Sequence, residues 1–170
     1  MVEEIEKPLV SIVMGSKSDL PVMQAAMDVL SILKMPHEMD IVSAHRTPKK
    51  MYSYAQGLDS RGVRVVIAGA GGAAHLPGMI AAMTLLPVIG VPIAATKLDG
   101  LDSLLSIVQM PAGVPVATVA IGNAENAGLL AAQILATSLP KFAVALRGYR
   151  EKLESKVDAS SIANKSVYLP

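Results

Sequence analysis

The sequence predicts an α/β protein: a three-layer α/β/α sandwich around a central parallel sheet, with flavodoxin-like winding. Short apolar runs alternate with longer stretches whose apolar residues recur at helical spacing, the pattern of repeated strand–helix units. Most of the runs are nearly continuous, as expected of strands buried on both faces by helices. Crossovers between parallel strands are right-handed almost without exception, so successive units wind into layers on either side of the sheet.

In chain order, the expected strands are Leu9–Met14, Met39–Val42, Arg64–Ala68, Val88–Val91 and Val116–Ile121. The expected helices are Pro21–Leu33, Pro48–Gly57, Pro77–Leu85, Leu101–Val108 and Ala124–Leu135, followed by a more charged one at Lys141–Lys156. Several have proline near the first turn, where its missing N–H is no loss. The length of 170 residues fits one domain spanning 1–170. Its last part, 158–170, reads as a polar stretch ending in the apolar Val167-Tyr168-Leu169-Pro170. Such a tail suits packing on a neighbouring subunit, with simple disorder as the alternative.

Composition narrows the function. The chain is 52% hydrophobic and 17% charged, with a mean hydropathy of +0.47, more apolar than one small soluble globule needs. The surplus points to burial between subunits. Net charge is +1 with no basic stripe, so nucleic acid is not an expected partner. The absence of cysteine removes thiolate chemistry and disulfides and favours a cytoplasmic location. Met1 to Lys7 is acidic and polar, unlike an export signal. The apolar run from Met79 to Ala95 is broken by Pro87, Gly90 and Pro92, so no membrane span is expected.

In folds of this kind ligands sit at the carboxyl ends of the strands, and the loops after strands one to three are rich in chemistry. Gly15-Ser16-Lys17-Ser18-Asp19 permits a tight turn and offers helix caps. Ser16 and Ser18 beside a helix start suit either capping or an anion such as phosphate, with Asp19 placed to accept from sugar hydroxyls. Ser43-Ala44-His45-Arg46-Thr47-Pro48 sets an imidazole beside a guanidinium. Arg46 can clamp a phosphate through parallel hydrogen bonds, and His45 can give and take a proton near neutrality. In isolation this reads as a surface loop; its strand-end position makes it a site.

Gly69-Ala70-Gly71-Gly72-Ala73-Ala74-His75-Leu76-Pro77 has such small side chains that a flat heterocycle could lie against backbone. It follows the wrong strand for a dinucleotide fingerprint, and no glycine-lysine-serine/threonine triplet makes it a P-loop. With no Trp and a single Phe, a flavin lid is missing. His37, His45 and His75 show no ligand spacing on one helix face, so no metal is expected, and His37 reads as a surface residue.

Taken together, Gly15-Ser16 to Asp19, Ser43 to Pro48, Ala70 to Met79, Gly90-Val91-Pro92, Ser103 to Pro111 and Gly113-Val114-Pro115 closely resemble the N5-carboxyaminoimidazole ribonucleotide mutases, over nearly the whole chain. That family includes the catalytic subunit of phosphoribosylaminoimidazole carboxylase.

The resemblance implies transfer of a carboxyl group from the exocyclic nitrogen of a small-molecule ribonucleotide to ring carbon C4, without ATP or cofactor. It implies that Ser16, Ser18 and Arg46 hold the phosphate, Asp19 the ribose, and that His45 is catalytic. Ser43, Ala44, Ala70, Gly71, Gly72, His75 and Leu76 complete the implied substrate-binding set. Gln109 and Met110 are weaker candidates, in a segment suited to packing near a subunit boundary. An octamer is implied as well. A second branch carboxylates aminoimidazole ribonucleotide directly with carbon dioxide and carries lysine and glycine in place of Arg46-Thr47, which favours the mutase here. A non-catalytic sensor of a phosphoribosyl ligand would share the phosphate loop without needing His45.

Overall fold

A computed structural model describes residues 7–165. Five parallel strands lie in the order β2-β1-β3-β4-β5: β1 Val10–Met14, β2 His37–Ile41, β3 Val65–Gly71, β4 Val88–Ile93 and β5 Ala117–Thr118. This is the expected α/β/α sandwich with a parallel sheet and flavodoxin-like order. Side chains along each strand alternate between the two faces. Val10, Ile12 and Met14 enter one core beneath α1 (Leu20–Ile32) and α6 (Ala124–Ala136), joined by Phe142 of α7 (Pro140–Lys165). Val13, Val66 and Ala68 enter the other, under α2 (Pro48–Gln56), α3 (Leu58–Arg61), α4 (Leu76–Ala81) and α5 (Leu101–Val108).

The three inner strands are buried almost throughout, which accounts for their continuous apolar runs. The edge strand β2, His-Glu-Met-Asp-Ile, is half exposed and begins two residues earlier than expected. Its polarity hides it from a search for apolar runs. His37 is half-buried rather than simply superficial, and its Nδ1 donates to the Met35 carbonyl at 2.8 Å. The fifth strand shrinks to two residues, because beyond Thr118 the chain turns to cap β4: Val119 N–H bonds Gly90 and Gly122 N–H bonds Pro92.

Helix α4 stops at Ala81, short of the expected Leu85, and a short α3 follows α2 after Gly57. In contrast, α7 continues nine residues past Lys156 to Lys165. Ser155 and Ser160 donate to the carbonyls of Glu151 and Lys156 at 2.9 Å, which lets serines stay within a helix. The apolar end of the expected tail, 167–170, lies outside the described residues. No helix among them is long and apolar enough to cross a membrane.

Close packing of α6 on α1 depends on small residues. The buried stripe of α6 is Ala124, Ala127, Gly128, Ala131, Ala132 and Leu135, at helical spacing. A Cβ on Gly128 would overlap Val29 and lie 3.1 Å from the Ala26 carbonyl oxygen. The sheet order also positions the site. β1 lies between β2 and β3, so the loops leaving all three strands gather at one end of the sheet, where the winding reverses direction.

Candidate active site

A cavity of about 280 Å³ opens at that end. Of the residues singled out in the sequence, Ser16, Ser18 and Asp19 line it after β1, Ser43, Ala44, His45 and Arg46 after β2, Ala70 and Gly71 at the end of β3, and His75 and Leu76 after it. Gly15, Ala73 and Ala95 complete the lining. Ala95 brings in the loop after β4, which sequence reasoning left out although the strand-end rule covers it equally. Gly72 does not line the cavity, and its N–H is engaged by the Ser103 hydroxyl at 2.8 Å. Gln109 and Met110 also stand outside the lining; Met110 packs against Gly78, where a Cβ would lie 2.7 Å from the Met110 sulfur.

The first loop is a reciprocal cap on a 3₁₀ turn, Lys17–Asp19, that leads into α1. Ser18 N–H donates to Ser16 Oγ at 3.3 Å, and Ser16 N–H donates to Asp19 Oδ2 at 3.0 Å. Capping and site therefore involve the same residues. Asp19 is only 6% exposed, and burial pushes its pKa up. The Ser16 N–H, the Ser18 hydroxyl and the Arg46 charge pull it back down without reversing the shift.

A raised carboxyl pKa has a definite sign in stability. The folded state holds the proton more tightly than the unfolded chain, so stability falls as pH rises from the unfolded value of about 3.8 through the higher folded value. Asp19→Asn is therefore expected to gain thermal stability over the wild type as pH climbs through that window, with no gain below it. Thermal unfolding at pH 3.5 and pH 7 checks this; a gain that is the same at both contradicts it.

The second loop is tied by Thr47, whose hydroxyl donates to the Ser43 carbonyl and accepts from Ser43 N–H, each at 3.0 Å. Arg46 Nε donates to Ser43 Oγ at 3.2 Å and Nη2 to the Gly15 carbonyl at 3.1 Å, so the guanidinium bridges the first two loops. This fixes the plane of the fork before a ligand arrives.

The third loop brings His75 onto His45. Their rings meet edge to face with centroids 4.8 Å apart, and His45 Nε2 lies 2.7 Å from His75 Nδ1. One of these nitrogens must carry the hydrogen and the other the lone pair, so the tautomers of the two rings are locked together. A proton on both facing nitrogens would break the contact. Thirty positions separate the pair in sequence, and their strands are not neighbours, so spacing gave no sign of the contact.

The chain's residues 9–156 match the family model described as AIR carboxylase. It is 60% identical to an N5-carboxyaminoimidazole ribonucleotide mutase of Pyrococcus horikoshii over 90% of this chain and 86% of that protein. Against the mutase of Synechocystis the identity is 61%, over 88% of this chain and 85% of that one. The crystal structure of Treponema denticola PurE superposes with a TM-score of 0.82 at 27% identity, covering 96% of this chain and 99% of that one. By the extent of these matches, this chain belongs to the AIR carboxylase family.

Proposed function

We propose that this protein is a mutase that converts N5-carboxyaminoimidazole ribonucleotide to 4-carboxy-5-aminoimidazole ribonucleotide in purine biosynthesis, without ATP. The observation that carries the reading is the paired His45 and His75 at the mouth of a cavity that also holds a bridging arginine, two serines and a buried carboxylate. Mutase relatives at about 60% identity support the same reaction.

The phosphate takes the free donors of Arg46 with Ser16 and Ser18, Asp19 accepts from the ribose hydroxyls, and the imidazole lies against Ala70, Gly71 and Leu76. Breaking the N–CO₂ bond leaves a proton to be placed on the exocyclic nitrogen, and joining carbon dioxide to C4 leaves one to be removed. His45 serves both transfers and ends in its starting state, so no cofactor is consumed. His75 accepts or donates at the far nitrogen of His45 and keeps its other nitrogen directed by the same hydrogen bond. A cavity of about 280 Å³ can keep carbon dioxide beside C4, converting a bimolecular step into one within a single site.

We further propose an octamer. Leu98, Leu101, Leu105 and Val108 stand 61, 52, 48 and 48% exposed on and beside α5, and Leu85 is fully exposed. Such an apolar surface suits subunit contacts. Light scattering should give eight times the 17.7 kDa protomer mass; a monomer mass refutes it. A cytoplasmic location goes with this metabolic role.

The test of the function is ATP-free conversion of N5-carboxyaminoimidazole ribonucleotide by purified protein, with aminoimidazole ribonucleotide plus bicarbonate alongside. Turnover of the first supports the mutase; turnover only of the second makes the protein a carboxylase. For phosphate binding, Arg46→Lys loses a fork that reaches Ser43, Gly15 and the ligand together. It should raise KM by about tenfold with little change in kcat, and an unchanged KM contradicts the assignment.

A further inference from the structure

Ser103 is one of three polar or charged residues among the described ones that are buried. Ser103 is 0% exposed, and its hydroxyl donates to the Ile93 carbonyl at 2.7 Å and accepts from Gly72 N–H at 2.8 Å, with Asp102 Oδ1 at the longer distance of 3.5 Å. Ile93 is the last residue of β4 and pairs with Gly71, the last of β3. One hydroxyl at the start of α5 thus joins the ends of two neighbouring strands.

The serine is itself held. Its N–H donates to Asp102 Oδ1 at 2.9 Å, and Asp102 Oδ2 accepts from the Thr96 hydroxyl at 2.6 Å. The chain around Gly72 has little choice of path. Gly72 has φ +64°, a left-handed conformation, and a Cβ on Gly71 would lie 2.5 Å from Ala95 Cβ.

We infer that Ser103 is a positioning residue for the proposed mutase reaction, holding the loop after β3 so that His75 reaches His45. Gly72 lies three residues before His75, and the intervening Ala73 lines the cavity. Without the Ser103 hydroxyl, Gly72 N–H and the Ile93 carbonyl both lose a buried partner, and the loop shifts to find others. His75 then moves off His45, and the acid–base pair loses its shared proton. This step deepens the mutase reading and depends on it for its kinetic consequence, while its structural consequence stands apart from it.

Ser103→Ala tests the inference, with Ser11→Ala as control. Ser11 is also fully buried with two side-chain partners, Glu38 at 2.7 Å and Tyr54 at 2.6 Å, but it lies outside the cavity lining. Both variants should melt at lower temperature. At a temperature well below either midpoint, Ser103→Ala should lose about 10–100-fold in kcat, as misplacement of a reacting group does, with KM changed far less. Ser11→Ala should keep wild-type kcat.

Crystal structures of wild type and Ser103→Ala give the second readout. The 2.7 Å contact between His45 Nε2 and His75 Nδ1 should open beyond about 3.5 Å in the variant. A variant that keeps this contact overturns the inference, whatever its stability. A wild type without turnover overturns the mutase reading instead, and the histidine distance still decides the role of Ser103. If Ser103→Ala does not fold, Ser103→Cys retains a side chain of similar size with far weaker hydrogen bonds and is read by the same distance.

Discussion

Replacing His45 with asparagine should lower kcat by about 10²–10⁴-fold and leave affinity for the nucleotide near that of the wild type. Asparagine keeps a polar side chain in the cavity lining, but its amide is too short to reach His75 as Nε2 does, and it cannot take up or release a proton. The groups assigned to phosphate and ribose stay in place, because Arg46 is held by Ser43 and Gly15, and Asp19 by the cap with Ser16. Binding and chemistry therefore separate. Steady-state kinetics together with calorimetric binding of the product reads both quantities. Wild-type turnover in the variant would remove His45 from the chemistry, and lost binding would make it a ligand-holding residue.

The second large effect is on folding. Gly128→Leu should destabilise the protein by about 2–3 kcal/mol, the overpacking loss reduced by the better helix propensity of leucine. At this chain length the loss corresponds to a fall of roughly 5–10 °C in Tm. The added side chain meets Val29, which is stiff at its branched carbon, and the Ala26 carbonyl, which is backbone and cannot swing aside. Helices α1 and α6 must separate, and both cover the same core. Thermal unfolding at equal protomer concentration measures it, and an unchanged Tm would mean the two helices have slack.

The layers and strand order were legible because the inner strands are buried on both faces and write that burial as apolar runs. What escaped was governed by polarity and by distance in the chain. β2 lies at the sheet edge and carries His37, Glu38 and Asp40, so its start was misplaced. In the continuation of α7 the Ser160 hydroxyl turns back onto the Lys156 carbonyl within the helix, where composition alone reads a polar tail.

At the site, the residues of the first two loops announced themselves by their chemistry at strand ends. Gly72 was grouped with the ligand-facing glycines by its neighbours, whereas its N–H serves a fold contact with Ser103. Ser103 lay in an apolar segment and looked like packing. Nothing in a sequence distinguishes a buried hydroxyl that joins two strand ends from one that fills space, and placing His45 and His75 at the same end of the sheet does not reveal that their rings meet.

The central claim is that the carboxyl group leaves one atom of the substrate and reaches another within the same site. It is tested most directly by giving the protein N5-carboxyaminoimidazole ribonucleotide with a ¹³C carboxyl group in the presence of excess unlabelled bicarbonate, and following the first turnovers by mass spectrometry. Retention of most of the label in 4-carboxy-5-aminoimidazole ribonucleotide is the predicted result. Full loss of the label to solvent, at the rate of product formation, would contradict it and assign the protein to direct carboxylation by free carbon dioxide.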